Sequence, residues 1–206
     1  MTPDEVQALF MQGGDYAFAR WGRPIAPVVF GVEDTTLDVV REAIFAVAAL
    51  AGQDVEEIDA ELGANLMLFF LRDWDELTGV PDLDRLIPGL DAVVARLKAA
   101  DAVQYRAFRH DRRGAIKAAF QFVRMARGMQ DLPADTVALS QAVQMILTWG
   151  EGAFAQASPL ARDPASGAAV LRPEIADLIR AAYDPVMPVA ASDPAHALRL
   201  FARMTR

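Results

Sequence analysis

The N-terminal third of the chain alternates short apolar runs with one amphipathic stretch. The run 25–32 is rich in β-branched residues and bounded by turn residues, so it predicts a strand, and its internal proline favours a sheet edge. A helix follows, capped by Thr35 or Thr36, with one apolar face and a stop near Gly52. The continuous apolar run 64–71 is typical of a strand that is covered on both faces. The order strand, helix, strand predicts a βαβ unit.

The rest of the chain predicts further helices around one hairpin. A capping box at Thr2 begins a short helix at the N-terminus. Apolar and polar residues alternate on both sides of a charged turn, which predicts a hairpin over 103–125, with a helix as the alternative for its second half. The other elements are an amphipathic helical region over 73–101, a long helix from Pro133 to about Phe154, a surface loop over 158–172, a helix over 173–183 and a last helix capped by residues 192–194. Gly150 and Gly152 are alternative, earlier ends for the long helix.

These elements predict an α+β fold in one domain spanning residues 1–206. We expect a small mixed sheet of about four strands packed on two long helices, followed by a C-terminal helical part. With 53% hydrophobic residues, the chain is long and apolar enough to bury a sizeable core. Such a composition is also compatible with a homo-oligomer, because obligate interfaces resemble protein cores.

Composition narrows the range of functions. The longest apolar run, 43–51, is about half of the ~20 residues that a membrane-spanning helix needs, so we expect no membrane segment. The acidic N-terminus lacks the features of a secretory signal, and we expect a cytoplasmic location. Without cysteine the chain has no disulfide, thiol nucleophile or cysteine-bound metal. Its net charge of −8 disfavours nucleic-acid binding.

One segment reverses this acidic balance. Residues 105–127 contain seven basic side chains against a single acid, with aromatic residues among them. Basic and aromatic side chains together are typical of an RNA-binding platform. However, Phe120 and Phe122 share the parity of Ile116, which assigns them to the core. The arginines then form a solvated edge that discourages edge-to-edge pairing or docks an acidic partner.

A narrow polar stripe on the helix that begins at Pro133 is the main candidate site. It carries a hydroxyl and two amides in apolar surroundings, and an aromatic and an acidic residue follow it. The stripe could line a ligand-binding cleft against the sheet edge, with the tryptophan as a stacking ring. Alternatively, it is the solvent-facing side of an amphipathic helix, and the tryptophan belongs to the core. The candidate ligand-binding residues are Ser140, Gln141, Gln144, Trp149 and Glu151.

Three acids, Asp73, Asp75 and Glu76, come directly after the second predicted strand. Ligand sites of α/β sheets often lie at such strand ends, so the acids could bind a cation or act as an acid–base pair. Helix capping is the simpler interpretation. Asp73 would cap the following helix, and the other two acids would interact favourably with its dipole.

A family resemblance depends on several phrases whose order and spacing cover most of the chain. They are Arg20-Trp21-Gly22-Arg23-Pro24, Ala64-Asn65-Leu66, Leu171-Arg172-Pro173-Glu174-Ile175 and Tyr183-Asp184-Pro185, together with the helix that contains Ser140. With them the chain resembles a bacterial domain family of unknown function that has a metzincin-like, zincin-type fold. The resemblance implies a mixed sheet packed against two long helices. In that fold the second helix carries the zinc ligands in an HExxH motif.

The zinc-binding motif of that fold is missing here. The matching positions are Ser140, Gln141 and Gln144, and their hydroxyl and amide groups are poor zinc ligands and poor proton acceptors. The only histidines, His110 and His196, do not form a ligand-spaced pair. We therefore expect no catalytic residue, no metal and no cofactor.

The resulting functional expectation is a non-catalytic, zincin-like domain, a pseudoenzyme of unknown function. It would bind an unidentified protein or small molecule in the cleft beside the Ser140–Gln144 helix. One alternative is an enzyme, either a metal-independent hydrolase or one with a metal site built from Asp73, Asp75, Glu76 or Glu151. The other alternative is an oligomeric structural protein.

Overall fold

The computed structural model describes residues 1–126 and 128–204, and these residues form seven α-helices and ten strands. Arg127, the last residue of the basic segment, lies outside the described residues. The helices are α1 (Pro3–Ala8), α2 (Asp34–Ala51), α3 (Leu83–Leu86), α4 (Leu90–Ala99), α5 (Ala134–Ile146), α6 (Pro173–Ala182) and α7 (Ala195–Met204), with 3-10 helices at Trp74–Gly79 and Met129–Asp131. The strands are β1 (Met11–Gln12), β2 (Asp15–Tyr16), β3 (Phe18–Ala19), β4 (Pro27–Phe30), β5 (Leu66–Leu71), β6 (Gln104–His110), β7 (Ile116–Arg124), β8 (Leu160–Arg162), β9 (Ala169–Leu171) and β10 (Ala190–Ala191).

Four strands form the main sheet, in the order β4–β5–β7–β6. Strand β5 is parallel to both β4 and β7, whereas β6 is antiparallel to β7. The sheet is therefore mixed, and β4 and β6 are its edges. The predicted hairpin is the β6–β7 pair, and the proline-containing strand lies at an edge, where Pro27 pairs with Leu66. Both predictions are confirmed.

A helical layer covers each face of this sheet. Helices α2 and α5, the two longest, pack against each other and on one face, where Val40, Val123 and Val137 share a core. The opposite face carries α3, α4 and the 3-10 helix that begins at Trp74, over the buried rings of Phe120 and Phe122. The predicted α+β class, with a mixed four-stranded sheet on two long helices, is confirmed, as is the assignment of the two phenylalanines to the core.

A β-bulge changes one detail of that assignment. Arg109 pairs with Ala118 but His110 pairs with Ile116, which leaves Lys117 as an extra residue on β7. An inserted residue reverses the face to which the flanking positions point. Ile116 consequently packs in the core on the α5 side, whereas Ala118 belongs to the core on the other side.

The C-terminal helical part packs back onto the beginning of the chain. Helix α6 contacts α2, and α7 contacts both α6 and α1. The two-residue strand β10 pairs with β3, so that Ala190 lies opposite Ala19. This pairing joins residues about 170 positions apart and forms a small second sheet beside the main one.

Local capping explains where several helices begin and end. Thr2 and Glu5 form the predicted capping box of α1: the Thr2 hydroxyl accepts from the Glu5 N–H, and the Glu5 carboxylate accepts from the Thr2 N–H. Asp193 caps α7 as expected, because its carboxylate accepts from Ala195 N–H at 2.9 Å. Helix α2 ends at Gly52, which has a φ of 65°, a backbone conformation that favours glycine.

The prediction that Thr35 or Thr36 caps α2 is wrong. The helix begins at Asp34, and its N-cap position is Glu33, whose side chain makes no capping hydrogen bond. The helical region predicted over 73–101 is divided into the 3-10 helix, α3 and α4. Its prolines and glycines interrupt it, and Gly89, with a φ of 71°, occupies the position before α4.

Two predictions in the second half are also wrong. The helix predicted to reach Phe154 ends at Ile146, because Leu147 is extended and the next residue, Thr148, donates its N–H to the Ala19 carbonyl at 3.0 Å. The segment 158–172, predicted as a surface loop, contains the antiparallel pair β8–β9, in which Ala161 lies opposite Val170. Strands of three residues are too short for the sequence to show a period-2 pattern.

Candidate functional site

The polar stripe of α5 faces the interior. Gln141 is 2% exposed and accepts a hydrogen bond from the side-chain amide of Gln121, which projects from β7. Gln144 is 5% exposed, and its amide donates to the Ser140 hydroxyl at 3.3 Å. The solvent-facing interpretation of this stripe is therefore wrong, since α5 turns these side chains toward the sheet, where β7 supplies an amide partner.

The structure does not bring the other two candidate ligand-binding residues, Trp149 and Glu151, together with the polar stripe. Trp149 is buried in the core, stacks on Phe10 with ring centroids 5.4 Å apart, and donates its indole N–H to the Val143 carbonyl at 2.7 Å. This satisfied position matches the core interpretation of the tryptophan. Glu151 lies on the surface beyond the end of α5. A ligand-binding role for these five residues stays a prediction.

A cavity of about 590 Å³ lies beside the end of α5, and we call it the edge cavity. Its size is within the range of small-molecule sites, roughly 300–1,000 Å³. Strand β6 forms one wall, and β3, β10 and the residue Thr148 form the others. The lining residues are Gln12, Ala17, Phe18, Ala19, Arg106, Phe108, His110, Gly114, Thr148, Ala190, Ala191 and Ser192.

Arg106 is the charged side chain in the wall of this cavity. Alternate residues of β6, namely Arg106, Phe108 and His110, line it, whereas Tyr105 and Ala107 pack on the opposite face of the sheet. Arg106 as a whole residue is half-buried, and one guanidinium N–H donates to the Gln144 carbonyl oxygen at 3.4 Å. Burial lowers the pKa of Arg106 to about 10, so it remains positively charged at neutral pH.

The opposite wall is held by bonds between distant segments. The Thr148 hydroxyl accepts from the Ala19 N–H at 2.7 Å, and Ala19 pairs with Ala190 of β10. Gly114 approaches the same strand, since a Cβ built there would lie 2.9 Å from the Ala190 Cβ. Small residues therefore let these segments come close around the cavity.

The acids that follow β5 cap the 3-10 helix. The Asp73 carboxylate accepts from the Asp75 N–H at 2.9 Å, and Glu76 accepts from the Asp73 N–H at 3.0 Å and the Arg72 N–H at 2.8 Å. Asp75 also pairs with Lys98 at 2.5 Å. These contacts confirm the capping interpretation. Across residues 1–126 and 128–204, no group of three or more His, Cys, Asp or Glu residues is placed to hold a metal ion.

The two histidines have different surroundings. His196 is 3% exposed, and its Nδ1 lies 2.8 Å from the Tyr16 hydroxyl. Burial lowers its pKa to about 4, with a smaller contribution from the positive charge of Arg199. His110 is exposed at the rim of the edge cavity, and partial burial of its ring lowers its pKa, so it is neutral at pH 7.

Sequence reasoning missed Arg106 as a site residue because it grouped all arginines of the basic segment on a solvated edge. That description is correct for Arg109, Arg112 and Arg113, which are exposed. The alternation of the segment 104–110 was the signal that could have separated Arg106 from Arg109, because neighbouring strand positions face opposite sides. No local signal indicated which segments would face that strand.

None of the described helices is long and apolar enough to cross a membrane. Comparison of the chain with family models, with curated proteins and with solved structures gave no match. A function for this chain therefore has to be inferred from its own residues and their geometry.

Proposed function

We propose that this chain is a non-catalytic, zincin-like domain that binds a ligand in the edge cavity beside the end of α5. The observation that carries the proposal is the cavity itself, whose volume suits a small molecule and whose walls combine apolar side chains with polar and charged groups. The position also fits the expected cleft, because it lies between the end of α5 and the sheet edge formed by β6.

Two further observations support the zincin-like part of the proposal. The mixed four-stranded sheet packs on the two long helices α2 and α5, which agrees with the arrangement that the resemblance implies. The residues at the positions of the missing zinc motif are engaged with one another or with β7: Gln141 with Gln121, and Gln144 with Ser140. These side chains therefore make hydrogen bonds inside the protein.

Asp59 and Asp111 are the least exposed of the salt-bridged acids whose pKa is altered, and their pKa values favour a non-catalytic function over a hydrolase. Burial alone would raise the pKa of Asp59 and of Asp111, but backbone N–H donors and a neighbouring arginine outweigh it and lower both pKa values, that of Asp59 to about 2. A general acid needs a carboxyl group with a raised pKa. These two carboxylates instead hold loops in place through Arg23 and Arg113.

A neutral fluorescent probe tests whether the edge cavity binds ligands. N-phenyl-1-naphthylamine becomes fluorescent in apolar sites, and we expect saturable binding to the native chain. Replacing a small wall residue by a large one, Ala191→Phe or Ala17→Phe, should weaken that binding roughly tenfold or more, because the ring occupies the space of the probe.

Ala165→Phe is the matched control, since Ala165 is exposed in the β8–β9 turn and is not part of the cavity wall. This variant should bind the probe like the native chain. If both wall variants, shown by circular dichroism to be folded, also bind the probe with native affinity, ligand binding in the edge cavity is refuted.

A further inference from the structure

We infer that the edge cavity takes a small organic carboxylate with an apolar body, held through its carboxylate on Arg106. The inference rests on the proposed function and adds the chemical class of the ligand. It depends on three features of the cavity: the state of the guanidinium, the charges around it, and the character of the remaining wall.

The guanidinium of Arg106 has unused hydrogen-bonding capacity. An arginine side chain carries five N–H donors in a rigid fork. Within the part of the chain that the structure describes, Arg106 makes one hydrogen bond, at 3.4 Å, to the Gln144 carbonyl. Removing a charged group from water without a charged partner is unfavourable. A carboxylate would supply two acceptor oxygens in the geometry of the fork.

The charges around Arg106 leave it without an internal counter-ion. The cavity wall contains no aspartate or glutamate, although the chain has 28 acidic residues against 20 basic ones. In the described ranges the salt bridges do not include Arg106. Four other partly buried arginines, Arg23, Arg124, Arg172 and Arg203, have a carboxylate partner in the chain. The partly buried Arg20 has no salt bridge among the described residues, but its guanidinium lies over the Tyr183 ring and donates to the Met187 carbonyl at 3.4 Å. None of these five arginines lines the edge cavity as Arg106 does.

The rest of the wall sets the size and character of the ligand. Phe18, Phe108 and several alanines present apolar surface, which suits an aliphatic or aromatic body. His110 is neutral at pH 7 because burial lowers its pKa, so the wall carries one positive charge. One charge matches a monoanionic carboxylate better than a phosphate, which carries more than one negative charge at this pH, about 1.5 to 2.

Displacement of the neutral probe tests the charge preference directly. Hexanoate and hexanamide have nearly the same shape and differ in charge, and hexylamine and inorganic phosphate complete the series. On the native chain we expect hexanoate to displace N-phenyl-1-naphthylamine at concentrations about tenfold lower than hexanamide or more. Hexylamine should be weaker than hexanamide, and phosphate should not displace the probe.

Variants then assign the preference to Arg106. Arg106→Met should abolish the difference between hexanoate and hexanamide while the probe itself still binds, and Arg106→Lys should retain part of it, since the charge remains but the fork is lost. Arg112→Met is the matched control, because Arg112 is exposed in the β6–β7 turn outside the cavity wall. It should leave the preference unchanged.

The outcomes separate this inference from the proposed function. Equal displacement by hexanoate and hexanamide on the native chain overturns the carboxylate inference, and it needs no variant to fold. A preference that persists in Arg106→Met, or displacement by phosphate as strong as that by hexanoate, also overturns it. Each of these three results leaves the proposed function untouched. That proposal is still supported if Ala191→Phe loses probe binding. Native-like probe binding in the filled variants would instead refute the proposed function.

Discussion

Acidification should destabilise the protein through His196. The imidazole is 3% exposed, its Nδ1 contacts the Tyr16 hydroxyl at 2.8 Å, and its ring lies 4.3 Å from the Phe18 ring, centroid to centroid. Its second nitrogen, Nε2, is buried and has no hydrogen-bond partner among the described residues. A protonated ring would carry an N–H on both nitrogens and would bury a positive charge near Arg199, which is unfavourable.

The size of this effect follows from the pKa. In the unfolded chain the imidazole binds its proton near pH 6.5, and burial lowers the pKa to about 4 in the folded chain. Between these values the unfolded state binds more protons, so the free energy of unfolding rises with pH. The stabilisation is fully present above pH 6.5 and is lost as the pH falls toward 4. From this shift we expect a loss of about 1–2 kcal/mol between pH 7 and pH 5.

Urea unfolding at pH 7 and at pH 5 measures this loss. Other groups also titrate in this range, so the quantity of interest is the difference between the native chain and His196→Gln, which lacks the imidazole. The pH dependence of the variant should be smaller by ~1–2 kcal/mol. His110→Gln is the control, because His110 is exposed and should contribute much less. The same pH dependence in His196→Gln and in the native chain would refute the reasoning, even if the variant is less stable at both pH values.

Two packing predictions accompany this one. Gln141→Leu should lower the free energy of unfolding by about 1–3 kcal/mol, because it leaves the buried Gln121 amide without its partner. Adding Gln121→Leu should recover part of this loss in a double-mutant cycle. Additive losses from the two substitutions would contradict the prediction. Gly31→Ala should cost at least about 2 kcal/mol, because Gly31 has a φ of 81° and a Cβ there would lie 2.0 Å from the Phe70 carbonyl oxygen. Gly52→Ala, with a φ of 65° and open space, should cost only ~1 kcal/mol in the same urea assay, and equal costs would show that the close contact is unimportant.

Local chemistry made much of the fold predictable. The alternation of 103–125 identified the β6–β7 hairpin, and the apolar run 64–71 identified the central strand β5. The capping groups at Thr2 and Asp193 placed the beginnings of α1 and α7, because a side-chain oxygen three or fewer residues from its N–H partner is visible in the sequence. In each case the determining interaction spans only a few residues or one regular period.

The candidate site was less predictable, because long-range contacts determine it. The amphipathic pattern of α5 shows that Gln141 and Gln144 share a face, but it does not show that β7 presents Gln121 to that face. Two amides on an apolar helix have the same sequence signature in a cleft, in solvent or in a paired interior. Only the position of α5 over the sheet distinguishes these environments.

The early end of α5 is also set by a long-range contact, and that contact lies at the proposed site. No glycine or proline stands at Leu147, so the local sequence favours continuing the helix. The chain leaves the helix there because Thr148 forms hydrogen bonds with Ala19 through both its backbone N–H and its hydroxyl. A helix that continued through Thr148 would lose both bonds. Thr148 and Ala19 are also both part of the wall of the edge cavity, which Ala190 extends through its pairing with Ala19. The contact that ends the helix against local preference thus joins two residues of the cavity wall.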